Sequence, residues 1–207
     1  PIQGRRVLKI TGMILDGCCL SSAVDSSSEK IIVENADIST LAEEGLLVYE
    51  HLPATTARDS KILGQEKVGK ILHAHKVLKR EDCENDRERM YWDKLDGLEF
   101  VYCIVRLFDM AGHEGAKALA ATVRDQHTNG QKVLLRWSIE GSTLTRSGNV
   151  LEETICRDIA STFRPCNRTC DTDLLADPGA PDGFEKWPGP QDEVEKLLRL
   201  PGYKEVR

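Results

Sequence analysis

No apolar run in this chain approaches the length of a membrane span, which takes about 20 consecutive apolar residues. No charged-then-apolar start resembles a signal peptide, so neither a membrane partner nor export is expected. A stripe of Lys and Arg is also missing. With a formal net charge of −6, nothing stands out to neutralise phosphates, and no nucleic-acid partner is expected. There is no internal repeat. A G-x-S-x-G elbow is absent too, which sets aside the α/β-hydrolase way of presenting a serine.

What remains is an ordinary globular composition, 40% hydrophobic and 30% charged, over 207 residues. That length suits one domain with extensions. The chain has seven cysteines, an odd number, and without an export signal they read as reduced thiols. Adding His73 and His75 to Cys166 and Cys170 would supply four ligands for a zinc site. Their spacing is not that of a ribbon or a finger, so no metal ligand and no cofactor is assigned.

Period-two patterns dominate the chain. Strands are expected at 5–15, in "LLVYEHLP", along "ILGQEKVGKILHAHKVLK" and in "GLEFVYCIVRLFD", and again at 132–140, 142–146 and 149–163. "GLEFVYCIVRLFD" is the most continuously apolar and should be the most central. Residues 17–28 read as a loop and 80–96 as a highly charged connection. "DISTLAEEG" is expected to form a short helix, capped by Asp37 or Ser39 and ended by Gly45. "AGHEGAKALAATVRDQHTNG" gives the strongest helix, with Ala116, Leu119, Ala120 and Val123 on one face and Asn129-Gly130 as its stop. The expected fold class is mixed, β-rich α+β: a sheet closed into a barrel with a few helices outside. One domain is placed at 1–168. Residues 169–207 read as a Pro/Gly/Asp-rich C-terminal extension ending in a short helix.

The chemistry centres on "LLRWSIEGSTLTRSGN". Alternation puts Val133, Leu135, Trp137 and Ile139 on an apolar face and Leu134, Arg136, Ser138 and Glu140 on the other. A serine on a polar strand face is ordinarily just solvated; a nucleophilic one needs a base and a group that orients it. Of five histidines, His51 stands at a strand end beside Pro53, a common place for catalytic groups. Asp158 alternates with the small residues Thr154, Cys156, Ala160 and Thr162, so it should be partly buried and need a partner. That partner is either a catalytic imidazole or an arginine such as Arg157 or Arg164. Cys103 and Cys156 read as core thiols rather than nucleophiles.

Taken together, "VYEH", "ILGQEKVGKIL", "FVYCIVRLFDMAGHEGAKAL", "WSIEG" and "DIASTFRPCN" resemble the capsid maturation (prohead) serine proteases of tailed bacteriophages, relatives of the herpesvirus assemblins. The resemblance spans roughly 45–168, with the motifs in the family's order. It implies an assemblin-like closed β-barrel in which Ser138 is the nucleophile, His51 the general base and Asp158 the third member. The implied activity is a serine endopeptidase without cofactor. It would cleave capsid and scaffold precursor polypeptides, and itself, inside the viral procapsid in the host cytoplasm. The resemblance also leaves room for a homo-oligomer. Two departures stand against the family pattern: the charged insertion at 80–96, and Glu152 and Glu153 close to Asp158. The alternative is a catalytically silent head-core or scaffold protein of the same fold.

Overall fold

Side chains alternate between the two faces of a strand, and the run from Phe100 to Leu107 is apolar but for Arg106 because both of its faces are covered. Val101, Cys103, Val105 and Leu107 enter one core cluster, while Phe100, Tyr102 and Ile104 enter a second. A computed structural model describes this segment and its surroundings, covering residues 12–49, 66–108, 113–162 and 165–177. Its strands are β1 (Ile14–Ser21), β2 (Lys30–Ile31), β3 (Ala36–Asp37), β4 (Leu46–Tyr49), β5 (Glu66–Val77), β6 (Phe100–Leu107), β7 (Arg136–Ser147), β8 (Val150–Thr162) and β9 (Thr172–Ala176). The helices are α1 (Ser39–Glu44), α2 (Asp86–Lys94) and α3 (Glu114–Thr128).

All nine strands belong to one mixed sheet, ordered β2-β8-β4-β5-β6-β1-β9, with β3 and β7 also paired to β8. β6 therefore lies inside the sheet, between β5 and β1. β2, β3 and β4 run parallel to β8, whereas β7 and β8 form an antiparallel hairpin turned at Gly148, whose φ is +58°. The sheet is strand-rich α+β as expected, but it is not closed. Arg136 at the head of β7 makes one isolated antiparallel bridge to Asp171, just before β9, and no ladder joins the two strands. A closed barrel needs that ladder.

Each core cluster has its own helix. Ala116, Leu119 and Val123 of α3 pack into the first, and Gly130, with φ +65°, follows the C-cap Asn129. The second cluster is covered by α2, which lies inside the stretch expected to be a charged connection. Charge hid this helix because only two of its residues, Tyr91 and Trp92, pack against the sheet's second cluster, while Met90 is exposed. Asn85 caps it, accepting from the Glu88 N–H at 3.0 Å. Arg87 then reaches a wholly buried carboxylate, placing Nε and Nη2 each 2.8 Å from Asp16, which also accepts from the Tyr102 hydroxyl at 2.8 Å. Burial pushes the Asp16 carboxyl up, against the pull of the Arg87 hydrogen bonds.

Two expected boundaries differ. Residues 5–11 of the first expected strand lie outside the described residues; where a loop is expected from residue 17, β1 runs Ile14–Ser21 and is buried along its length. Gly17 looks like a loop residue but is needed for close approach: a Cβ there would lie 2.3 Å from the Asp171 carbonyl oxygen. The stretch after Arg168 was expected to be an extension, yet Thr172–Ala176 forms β9 against β1 and buries Leu174, Leu175 and Ala176. The short helix expected near the C-terminus lies outside the described residues.

Candidate active site

Ser138 stands near the head of β7, and its neighbours follow the expected alternation. Leu135 and Trp137 are fully buried, Ile139 packs against the first core cluster, and Ser138 is half-buried on the opposite face. Its register partner on β8 is Ala160, and two residues on Glu140 faces Asp158. Directly opposite residues in an antiparallel pair share a face, so Ser138, Glu140, Asp158 and Ala160 lie together. Ser138 and Asp158 are diagonal neighbours, a relation that separates Cα atoms by about 7–8 Å. The Ser138 hydroxyl has no hydrogen-bond partner among the described residues.

Asp158 differs from its expected setting in two ways. Between the pairs Glu140–Asp158 and Gly141–Cys156, β8 carries one extra residue, Arg157. This bulge reverses the alternation. Cys156 therefore falls in the core cluster with Ile159, not beside Asp158. The carboxylate's partner is also not a described arginine: Oδ1 accepts the backbone N–H of Leu46 at 2.8 Å, at the first residue of β4. Asp158 thus ties β8 to β4 where the two strands begin their parallel run, which continues through Val48–Ala160 and Tyr49–Ser161. The Ser161 hydroxyl adds a second tie, donating to the Val48 carbonyl at 3.0 Å. His51 follows Tyr49 by two positions in the sequence and lies outside the described residues, as does Arg164.

A cavity of about 190 Å³ opens beside Ser138, lined also by Ile139, Ser21, Glu29, Cys166, Asn167 and Cys170. A second, of about 340 Å³, lies along the same strand face, against Leu134, Arg136, Pro165 and Arg168. The apolar face of the strand therefore divides: Trp137 is core, whereas Ile139 also meets the first cavity. The cavity walls come from a hydrogen-bonded loop. Asn167 Nδ2 donates to the Ser21 hydroxyl oxygen at 3.0 Å, and the Thr169 hydroxyl lies 2.6 Å from that of Ser21.

All seven cysteines are free thiols. Cys103 and Cys156 are buried as expected, and burial pushes the Cys156 thiol up to about 12, which makes it a poor nucleophile. Cys166 is the exposed thiol among them, and it borders the Ser138 cavity together with Cys170. His73 and His75 are elsewhere, on β5, and gather with Glu84 and Glu88 rather than with cysteine. The sequence reading missed that grouping. Its signal was the His73-x-His75 spacing on a strand, followed closely by two glutamates four residues apart. His113 immediately precedes α3 with its ring 4.8 Å from that of Phe108, and His127 lies in the last turn of the helix.

Set beside known proteins, the chain matches no family model, no curated protein and no solved structure.

Proposed function

We propose that this protein is a serine endopeptidase of the prohead maturation type, with Ser138 as nucleophile, His51 as general base and Asp158 as the carboxylate behind it. The observation that carries the reading is the strand order. β7, which bears Ser138, β8, which bears Asp158, and β4, whose sequence runs on to His51, are consecutive in the sheet. Three segments scattered over the sequence are thereby neighbours, and the serine among them is half-buried beside a cavity. In this reading the sheet curves into a barrel through the Arg136–Asp171 bridge, and an extended peptide lies along the face shared by Leu134, Arg136 and Ser138.

The mechanism follows from the groups. His51 takes the Ser138 proton as Oγ attacks the scissile carbonyl. The protonated imidazole then gives that proton to the leaving amine, and water releases the acyl-enzyme. General-base action supplies about 10²–10⁴-fold, so Ser138→Ala and His51→Ala should each reduce cleavage to background. Asp158→Asn should cost less, because its part is to orient.

The deciding experiment incubates the full chain and its Ser138→Ala variant with procapsid scaffold and capsid precursor polypeptides, with products read by intact-mass spectrometry. Fragments from the wild type alone support the proposal. Identical fragments from both remove Ser138 as nucleophile, and no fragments from either favour the silent scaffold protein. A fluorophosphonate label should map to Ser138; label found on Cys166 instead would point to a thiol.

A further inference from the structure

β5 carries His73 and His75 two positions apart, so both imidazoles leave the same face of the sheet. The chain then turns back over that face. Glu84 stands just before the cap of α2 and Glu88 in its first turn. The result is a mixed set of two imidazoles and two carboxylates whose ligand atoms all lie within 4.8 Å of one another. We propose that His73, His75, Glu84 and Glu88 form a binding site for one divalent metal ion, with zinc as its occupant.

Three features favour a site over a chance cluster. The side chain of Glu88 is fully buried, and its Oε2 is engaged by the Glu84 backbone N–H at 2.6 Å. Oε1 is thereby aimed at His75, 3.2 Å from Nδ1. A carboxylate oriented by one oxygen and presented by the other is the arrangement expected around a metal. His75 also has Nε2 3.7 Å from Glu84 Oε1. Ligand atoms in a tetrahedral zinc site are about 3.3 Å apart, given bonds of 2.0–2.2 Å, so a set lying within 4.8 Å would close by at most about 1.5 Å around an ion, with one nitrogen of His75 as the ligand. Finally, His73 Nε2 is buried and has no hydrogen-bond partner, which an ion would correct.

Chemistry selects the metal class. Two imidazole nitrogens suit zinc and its transition-metal neighbours, whereas calcium and magnesium prefer oxygen donors throughout. A plain His75–Glu88 ion pair is the competing account; it needs neither Glu84 nor the bare nitrogen of His73. The ion would pin α2 to β5.

The test uses the full chain, stripped with a chelator and titrated with zinc alone by calorimetry, beside His73→Gln and Glu84→Gln. Cobalt serves as a second probe through its visible bands. One equivalent of zinc should bind, with affinity falling by more than about 100-fold in each variant, beyond the usual cost of losing an outer-shell partner. Wild-type protein with excess cobalt should show intense tetrahedral bands that the variants lose. Zinc uptake unchanged in both variants, or no cobalt bands in wild type, overturns the proposal. Metal-free melting curves matching wild type confirm that a variant lost a ligand rather than its fold.

Discussion

Asp16 is a carboxylate with no access to water, and its side chain is held by Arg87 and the Tyr102 hydroxyl. Removing one partner of a buried ion pair leaves a charge that the protein cannot solvate, at a cost of about 3–5 kcal/mol. Arg87→Leu should therefore lower the unfolding free energy by that amount in urea titrations. Asp16→Asn combined with Arg87→Leu should recover most of it, since no bare charge remains. The contrary result is informative. A loss below about 1 kcal/mol for the single variant would mean that burial has already protonated Asp16, reducing the pair to an ordinary hydrogen bond. None of this was legible in the sequence, where Asp16 sits beside Gly17 in a stretch that reads as the start of a loop. The residues that decide its state arrive from α2 and β6, which lie far along the chain.

At the scale of elements, the seam between β7 and β9 is held by charge where a ladder is missing. Asp171 accepts from Lys132 at 2.8 Å, lies 2.7 Å from both Lys94 Nζ and Arg136 Nε, and is largely buried. Burial alone would raise its carboxyl, but Lys132, Lys94 and Arg136 hold it below the usual range. A folded-state pKa below the unfolded value adds stability that is present above the unfolded value, about 3.9, and lost as pH falls through the folded one. Asp171→Asn should thus cost about 1.5–3 kcal/mol at neutral pH, the scale of hydrogen bonds to a charged group. The gap between variant and wild type should close below about pH 4. A gap that persists in acid would assign the effect to packing instead. Strand alternation, by contrast, was readable: Leu135, Trp137 and Ile139 face the core as the pattern predicts. It failed at Arg157, because a bulge depends on pairing across the hairpin and leaves no mark in one strand's own sequence.

For the whole molecule, legibility followed the kind of force involved. Apolar periodicity located β6 and α3, since burial on one or both faces must be written into composition. α2 and β9 escaped because each buries too few apolar residues to leave a periodic signal and is fastened as well by polar contacts to distant partners: Arg87 to Asp16 for the helix, and the Thr172 hydroxyl to the Leu135 carbonyl at 2.8 Å for the strand. The candidate triad came from residue types and from motifs in the order of the resemblance, while the adjacency of β4, β8 and β7 needed the sheet. That sheet has a consequence for where the domain ends. β9 covers the edge of β1 and buries Leu174 and Leu175, each worth about 1.5–3 kcal/mol when removed from water. Together they approach the 5–15 kcal/mol that keeps a typical domain folded. A chain ended after Arg168, the boundary suggested by composition, should therefore melt without cooperativity by circular dichroism, whereas the full chain should show a single transition. It would also expose the hydrogen-bonding edge of β1, so light scattering should report aggregation. If the shortened chain instead melts as one transition at the full chain's temperature, β9 is an accessory strand, and the domain is complete without it.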